Sequence, residues 1–193
     1  MPIDTARTAK ARKGPSAPTI IYDSLFRDES PIYSVLPPHT EVKTILDYGC
    51  GRGADVRWLK EQGYQVDGYD PKFAPGLPDK TYNAVLLNYV LCVLPSKKAR
   101  VQVVNSALER VKRRGFLCVA VRSKKEIERN ARVSGWTKYA DGYLTGSGTF
   151  QRGFSAAEVF DLLMNASESQ KVEYLIDNIH TPWNFVTVML KRF

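Results

Sequence analysis

Asp47-Tyr-Gly49-Cys-Gly51-Arg-Gly53 places one carboxylate and three glycines where an apolar run gives way to a helical pattern. Glycines at such a turn allow backbone conformations closed to other residues and let a ligand approach the main chain closely. A dinucleotide loop would read Gly-x-Gly-x-x-Gly and rest a pyrophosphate on the helix start; here the third glycine comes one residue early and Asp47 precedes the loop. A carboxylate there suits a cationic ligand rather than a pyrophosphate. The next apolar run ends Val66-Asp-Gly-Tyr-Asp70, which sets a second acid at a strand's carboxyl end. An acid in that place can accept both hydroxyl hydrogens of a ribose. The pair of features points to a nucleoside that carries a positive charge.

S-adenosylmethionine has a ribose, a sulfonium and an amino-acid tail. Ile45-Leu-Asp-Tyr-Gly-Cys-Gly-Arg-Gly53 resembles the first motif of the class I S-adenosylmethionine-dependent methyltransferases, and Tyr69-Asp70 resembles the end of their second. The resemblance covers roughly residues 42–121. It implies cofactor contacts from Asp47, Tyr48, Gly49, Cys50, Gly51, Gly53, Asp70, Pro71 and Asn88. Three further segments, Arg7 to Pro18, Asn88-Tyr-Val-Leu91 and Gly148-Thr-Phe-Gln-Arg-Gly-Phe154, resemble small phage-type and DNA-phosphorothioation-associated methyltransferases.

Methyl transfer asks a protein mainly to align a nucleophile and exclude water. Asn88 and Tyr89 follow an apolar strand at the sheet's carboxyl edge and are the candidate catalytic residues; Asn88 either orients an amine or simply ends the strand. Phe150, Gln151 and Arg152 form a candidate substrate loop, although Phe154 also suits a hydrophobic staple. His39 and His180 are isolated and read as loop residues.

The net charge of +8 is regional: residues 97–132 alone carry +9. Arg110, Lys112, Arg113 and Arg114 fit a helix C-terminus, where the dipole favours cations. Lys97, Lys98 and Arg100 oppose it, so with Lys124, Lys125, Arg129 and Arg132 they are candidates for phosphate contacts, Lys124 and Lys125 foremost. A nucleic-acid partner is therefore one expectation. A small-molecule or protein acceptor is another, with the basic surface serving solubility, and a nucleic-acid-binding module without turnover is a third.

The elements that must position these groups alternate as in a parallel sheet covered on both faces. Strands are expected at Val42–Asp47, Gln65–Tyr69, Asn83–Leu87 and Phe116–Val121, with helices from Gly53 to Gln62 and after Ser96. A capping box, Ser155-Ala-Ala-Glu158, opens a helix through Met164. Two last strands fall about Lys171–Ile176 and Asn184–Leu190. Only 11 residues separate Asp70 from Tyr82, too few for a helix and a further strand, so the expected fold is a doubly wound Rossmann-like α/β sheet shortened at its third-strand edge. Without that edge no acid is identifiable for the adenine amino group, leaving Phe73 or a backbone group. Residues 1–20 lack hydrophobic periodicity and read as a basic arm, either lid or tail, with residues 21–193 as one domain.

With 44% hydrophobic and 25% charged residues, the chain of 193 has the balance of one globular domain rather than a disordered chain. It shows neither a membrane-spanning run nor a signal peptide, and Cys50, Cys92 and Cys118 lack metal-ligand spacing. Reduced thiols in a cytoplasm are expected.

Overall fold

The computed structural model describes residues 12–27, 42–168, 176–180 and 185–192. A six-stranded sheet carries the fold. β1 (Thr44–Tyr48), β2 (Gln65–Tyr69), β3 (Tyr82–Asn88) and β4 (Val111–Arg122) are parallel to one another, and β8 (Ile176–His180) and β9 (Phe185–Lys191) close it antiparallel, in the order β2-β1-β3-β4-β9-β8. Among the described residues β2 forms the edge, and the 70–82 connection adds no strand beyond it.

Alternation along the strands divides the core into two layers. Leu46, Val85, Leu87, Leu117 and Val119 point to α3 (Lys97–Glu109) and α5 (Ala156–Glu168) through Val104, Leu108, Val159 and Leu163. Ile45, Ala84, Leu86, Phe116 and Cys118 point to α1 (Ala17–Arg27) and α2 (Ala54–Glu61) through Tyr22 and Leu59. Burial on both faces explains the unbroken apolar run of β4.

Both expected caps form. Ser96 Oγ accepts from the Ala99 N–H, and Ser155 and Glu158 exchange reciprocal bonds of 3.2 and 2.8 Å. Several boundaries differ. Residues 17–20, expected to lie in an arm outside the core, belong to α1, because Pro18, Thr19 and Tyr22 are buried and the Tyr22 hydroxyl donates to the Val119 carbonyl at 2.8 Å. Residues 1–11 lie outside the described residues. Lys112, Arg113 and Arg114 begin β4 instead of ending a helix, which stops at Glu109. A strand runs from Ile176 to His180, so His180 is in a strand; residues 171–175 of the strand expected at 171–176 lie outside the described residues, as does His39.

The polar segment after Arg122 holds structure that composition did not announce. α4 (Lys124–Val133) is followed by a three-stranded antiparallel sheet of β5 (Thr137–Tyr139), β6 (Gly142–Leu144) and β7 (Phe150–Gln151). Among the described residues no helix is long and apolar enough to cross a membrane.

Candidate functional site

β1 delivers its chain into the glycine loop at the carboxyl edge of the sheet, next to the end of β2. Gly49, Gly51 and Gly53 all take left-handed backbone angles, with φ of 89°, 54° and 73°. Three successive alternate residues in that region form a tight cradle that side chains would strain. The loop is fastened to β2: the Gly49 and Cys50 N–H groups donate to the Tyr69 carbonyl, and the Gly51 N–H donates to Asp70 Oδ2 at 3.1 Å. Asp70 Oδ1 accepts from the N–H groups of Lys72 and Phe73, so the carboxylate is held rigidly beside the loop. Phe73 follows it, half-buried, with the Arg52 guanidinium 4.7 Å over its ring.

Asp47 is 2% exposed, and its Oδ2 finds no partner among the described residues. Burial pushes its carboxyl well above the usual range, the Asp55 carboxylate adds to this, and Arg12 opposes it. A buried acceptor left open costs free energy unless a ligand donor meets it. Asp47, the glycine cradle and Asp70 therefore fit the amino-acid tail and the ribose of S-adenosylmethionine.

Not every residue expected at the cofactor faces it. Tyr48 is buried in the α3 layer, its hydroxyl 3.1 Å from Ser106 Oγ, which makes it a core residue. Gly49 is required by packing, since a Cβ there would meet Val90 Cγ2 at 2.2 Å. Cys50 lies against Gly68 of β2, with its thiol pushed up to about 12 by burial. Pro71 is exposed at the turn after Asp70.

A strap that sequence reasoning placed outside the core crosses this edge. Arg12 Nη2 and Ser16 Oγ each lie 3.0 Å from Asp55 Oδ2, and the Ser16 N–H donates to Oδ1. Asp55 stands in the first turn of α2, directly after the cradle. Asn88 Nδ2 donates to Thr19 Oγ1 at 2.9 Å, which ties its amide N–H group to α1, while its Oδ1, the atom that can accept from an amine, is buried and has no partner among the described residues. The spacing of Arg12, Ser16 and Thr19 has no apolar period, and only their shared targets reveal the strap.

Tyr89 follows Asn88 in a left-handed conformation, φ 62°, uncommon for a bulky residue. Its N–H donates to the Ala120 carbonyl, its ring meets Phe185 edge to face at 6.2 Å, and the Arg122 guanidinium lies 5.5 Å over it. Burial pushes its phenol up to about 12, so the hydroxyl stays protonated at neutral pH.

The expected substrate loop is structural. Phe150 is fully buried against Tyr139, and Arg152 binds Asp141 and Glu158, each at 3.0 Å. Gly153 is needed because a Cβ would meet Lys124 Cα at 2.5 Å, and Gln151 pairs with Tyr143 in the small sheet. Arg100, 2% exposed, pairs with Asp141 and donates to the Leu94 carbonyl, so it joins α3 to the small sheet and cannot reach a phosphate. Lys124 is 3.7 Å from Glu158. Lys97, Lys98, Lys125, Arg129 and Arg132 remain exposed.

The family model described as Methyltransferase domain matches residues 25–143, from α1 through the first strands of the small sheet. The chain belongs to this methyltransferase family. No curated protein matches it at a significant level. Among solved structures, the Burkholderia thailandensis 1,6-didemethyltoxoflavin-N1-methyltransferase, with bound 1,6-didemethyltoxoflavin and S-adenosylhomocysteine, is similar at TM-score 0.56 and 16% identity, over 90% of this chain and 83% of that one. The plantazolicin methyltransferase BpumL with S-adenosylhomocysteine is similar at TM-score 0.60 and 11% identity, over 92% and 86%. A Methanosarcina mazei S-adenosylmethionine-dependent methyltransferase is similar at TM-score 0.55 and 17% identity, over 86% and 98%. These likenesses establish the class I fold of this methyltransferase.

Proposed function

We propose that the protein transfers a methyl group from S-adenosylmethionine to a nitrogen of a small planar acceptor at the carboxyl ends of β3 and β4. The observation that carries the cofactor assignment is the left-handed glycine cradle flanked by two acids, one of them, Asp47, buried with an open oxygen. When bound, the cofactor supplies a methyl carbon already activated by its sulfonium. The residues do the rest by position. Asp70 receives the ribose hydroxyls, Asp47 receives the ammonium of the tail, and the Gly51 turn lets both approach the main chain. Phe73 offers the adenine an apolar face in place of the missing acid. The strap from Arg12 to Thr19, tied to Asp55 and Asn88, covers the edge and excludes water.

A small acceptor is favoured over a polymer because Phe150, Arg100 and Arg152, which would have stacked on a base or held phosphates, are engaged internally. The 1,6-didemethyltoxoflavin-N1-methyltransferase, which holds 1,6-didemethyltoxoflavin and S-adenosylhomocysteine, adds support. A nitrogen of a nucleic-acid base is the second reading, favoured by exposed Lys97, Lys98, Lys125, Arg129 and Arg132 and by the likeness to phage-type methyltransferases. Incubating the protein with methyl-labelled cofactor and, separately, DNA, RNA and a small-molecule extract distinguishes them. Label is expected in the extract; label in DNA or RNA moves the assignment to the second reading, and label nowhere contradicts both.

A further inference from the structure

Glu126 is a buried carboxylate that neither packing nor the cofactor cradle explains. It stands in the first turn of α4, three residues after Ser123, whose Oγ accepts from the Glu126 N–H. That spacing reads as a capping box, in which the acid turns back to the main chain. Here Oε1 is instead taken by Arg122 Nη1 at 2.8 Å, and Oε2, on a side chain 9% exposed, has no partner among the described residues. Arg122 is 42% exposed, so an ion pair made for stability alone would gain by staying in water with it.

The surroundings place this oxygen on the acceptor side. Arg122 extends from the end of β4 over the ring of Tyr89, and the Arg122 N–H donates to Cys92 Sγ at 3.1 Å. Glu126 stands one turn after Arg122 at the carboxyl end of β4, whose Ala120 carbonyl accepts from the Tyr89 N–H at the end of β3. Tyr89 is held in a left-handed backbone conformation, a form of strain that collects at functional sites.

We infer that Glu126, together with the aromatic walls of Tyr89 and Phe185, forms an acceptor subsite that recognises a planar ring through an N–H donor. This rests on the methyltransferase reading and adds to it the class of acceptor. An ionised carboxylate oxygen only accepts, so it selects a ring N–H or an exocyclic amine. A carboxylate or phosphate on the acceptor would meet repulsion from Glu126 in a site where Arg122 is already neutralised. The edge-to-face pair of Tyr89 and Phe185 gives flat apolar contact to a ring.

The test uses the full chain saturated with S-adenosylhomocysteine, and benzimidazole, 1-methylbenzimidazole and benzoate as probes in calorimetry. Benzimidazole is expected to bind at least about tenfold more tightly than its methylated form, the scale of one hydrogen bond to a charged group, and benzoate not at all. In Glu126→Gln the preference should shrink to about threefold or less while the affinity for S-adenosylhomocysteine is unchanged. Equal binding of the two benzimidazoles by the unaltered protein overturns the subsite without any variant having to fold, as does a full preference retained in Glu126→Gln or no benzimidazole binding. Failure of the unaltered protein to bind S-adenosylhomocysteine overturns instead the methyltransferase reading beneath it.

Discussion

The side-chain amide of Asn88 is bonded to the hydroxyl of Thr19 at 2.9 Å, which joins the carboxyl end of β3 to the first turn of α1. The residue best placed by sequence to hold a methyl acceptor thus also holds the N-terminal strap, through Nδ2, with its Oδ1 left open. Thr19→Val keeps the shape and removes the acceptor, leaving the Asn88 N–H group without this partner. A loss of about 1 to 3 kcal/mol is expected, together with weaker cofactor binding. Chemical denaturation and calorimetry on the same variant check both; unchanged cofactor affinity would make the strap a packing element only.

Removing residues 1–19 should lower the melting temperature even without cofactor, because it deletes the buried Ser16, Pro18 and Thr19 and the partners of Asp55. An independent arm would leave the melting temperature in place. Thermal unfolding of the truncated chain separates the two.

Asp47 sets a pH dependence. Its folded carboxyl lies above the unfolded value of about 3.9, so the folded state holds the extra proton, and stability falls as pH rises from that value through the raised one. An ammonium bound at Oδ2 favours the ionised form. Cofactor binding should therefore release a proton below the raised value, and affinity should climb with pH across the same window. Titrations in buffers of different ionisation enthalpy count that proton. Asp47→Asn should abolish the release; release persisting in the variant would assign it to another group.

The thiols of Cys50 and Cys92 are pushed up to about 12 by burial, and Cys118 is raised further by the same cause. Thiolate is the reactive form. Native protein at pH 8 should resist iodoacetamide and gain three labels only when unfolded, which intact mass measures. Rapid labelling of Cys50 in the native state would mean that the loop opens freely.

Arg100→Met should cost about 2 to 3 kcal/mol in denaturant, because Asp141 and the Leu94 carbonyl lose a charged donor. The cost stays below that of a fully buried pair, since Asp141 is 42% exposed and can return to water. Nucleic-acid affinity, if any is measured, should keep its salt dependence in this variant. A flatter slope would return Arg100 to a phosphate contact.

The sheet was legible because its signals are local. Apolar runs, Ser96, the Ser155-Glu158 box and the short connection after Asp70 each act within a few residues, and together they mark the parallel strands and the missing edge. α4 and the small sheet were not legible, because β5 to β7 are two or three residues long and their cohesion comes from Arg100, Asp141 and Arg152, far apart in sequence. The same holds at the site. The glycine loop announces itself, whereas the roles of Asn88 and Glu126 depend on Thr19 and Arg122, and the Ser123-x-x-Glu126 spacing conceals the second behind an ordinary cap. Phe150 to Arg152 reads as a substrate loop for a related reason: a glycine such as Gly153, demanded by close approach to Lys124, has the same appearance in sequence as one that supplies flexibility.

The central claim is tested most directly by calorimetric titration of S-adenosylmethionine into the unaltered protein and into Asp70→Ala. Asp70 fastens the Gly51 turn, and in the proposed reading it also accepts hydrogen bonds from the ribose hydroxyls. One binding site is expected in the unaltered protein, weakened about tenfold to a hundredfold in the variant. No binding by the unaltered protein, or equal affinity in a folded Asp70→Ala, would contradict the assignment.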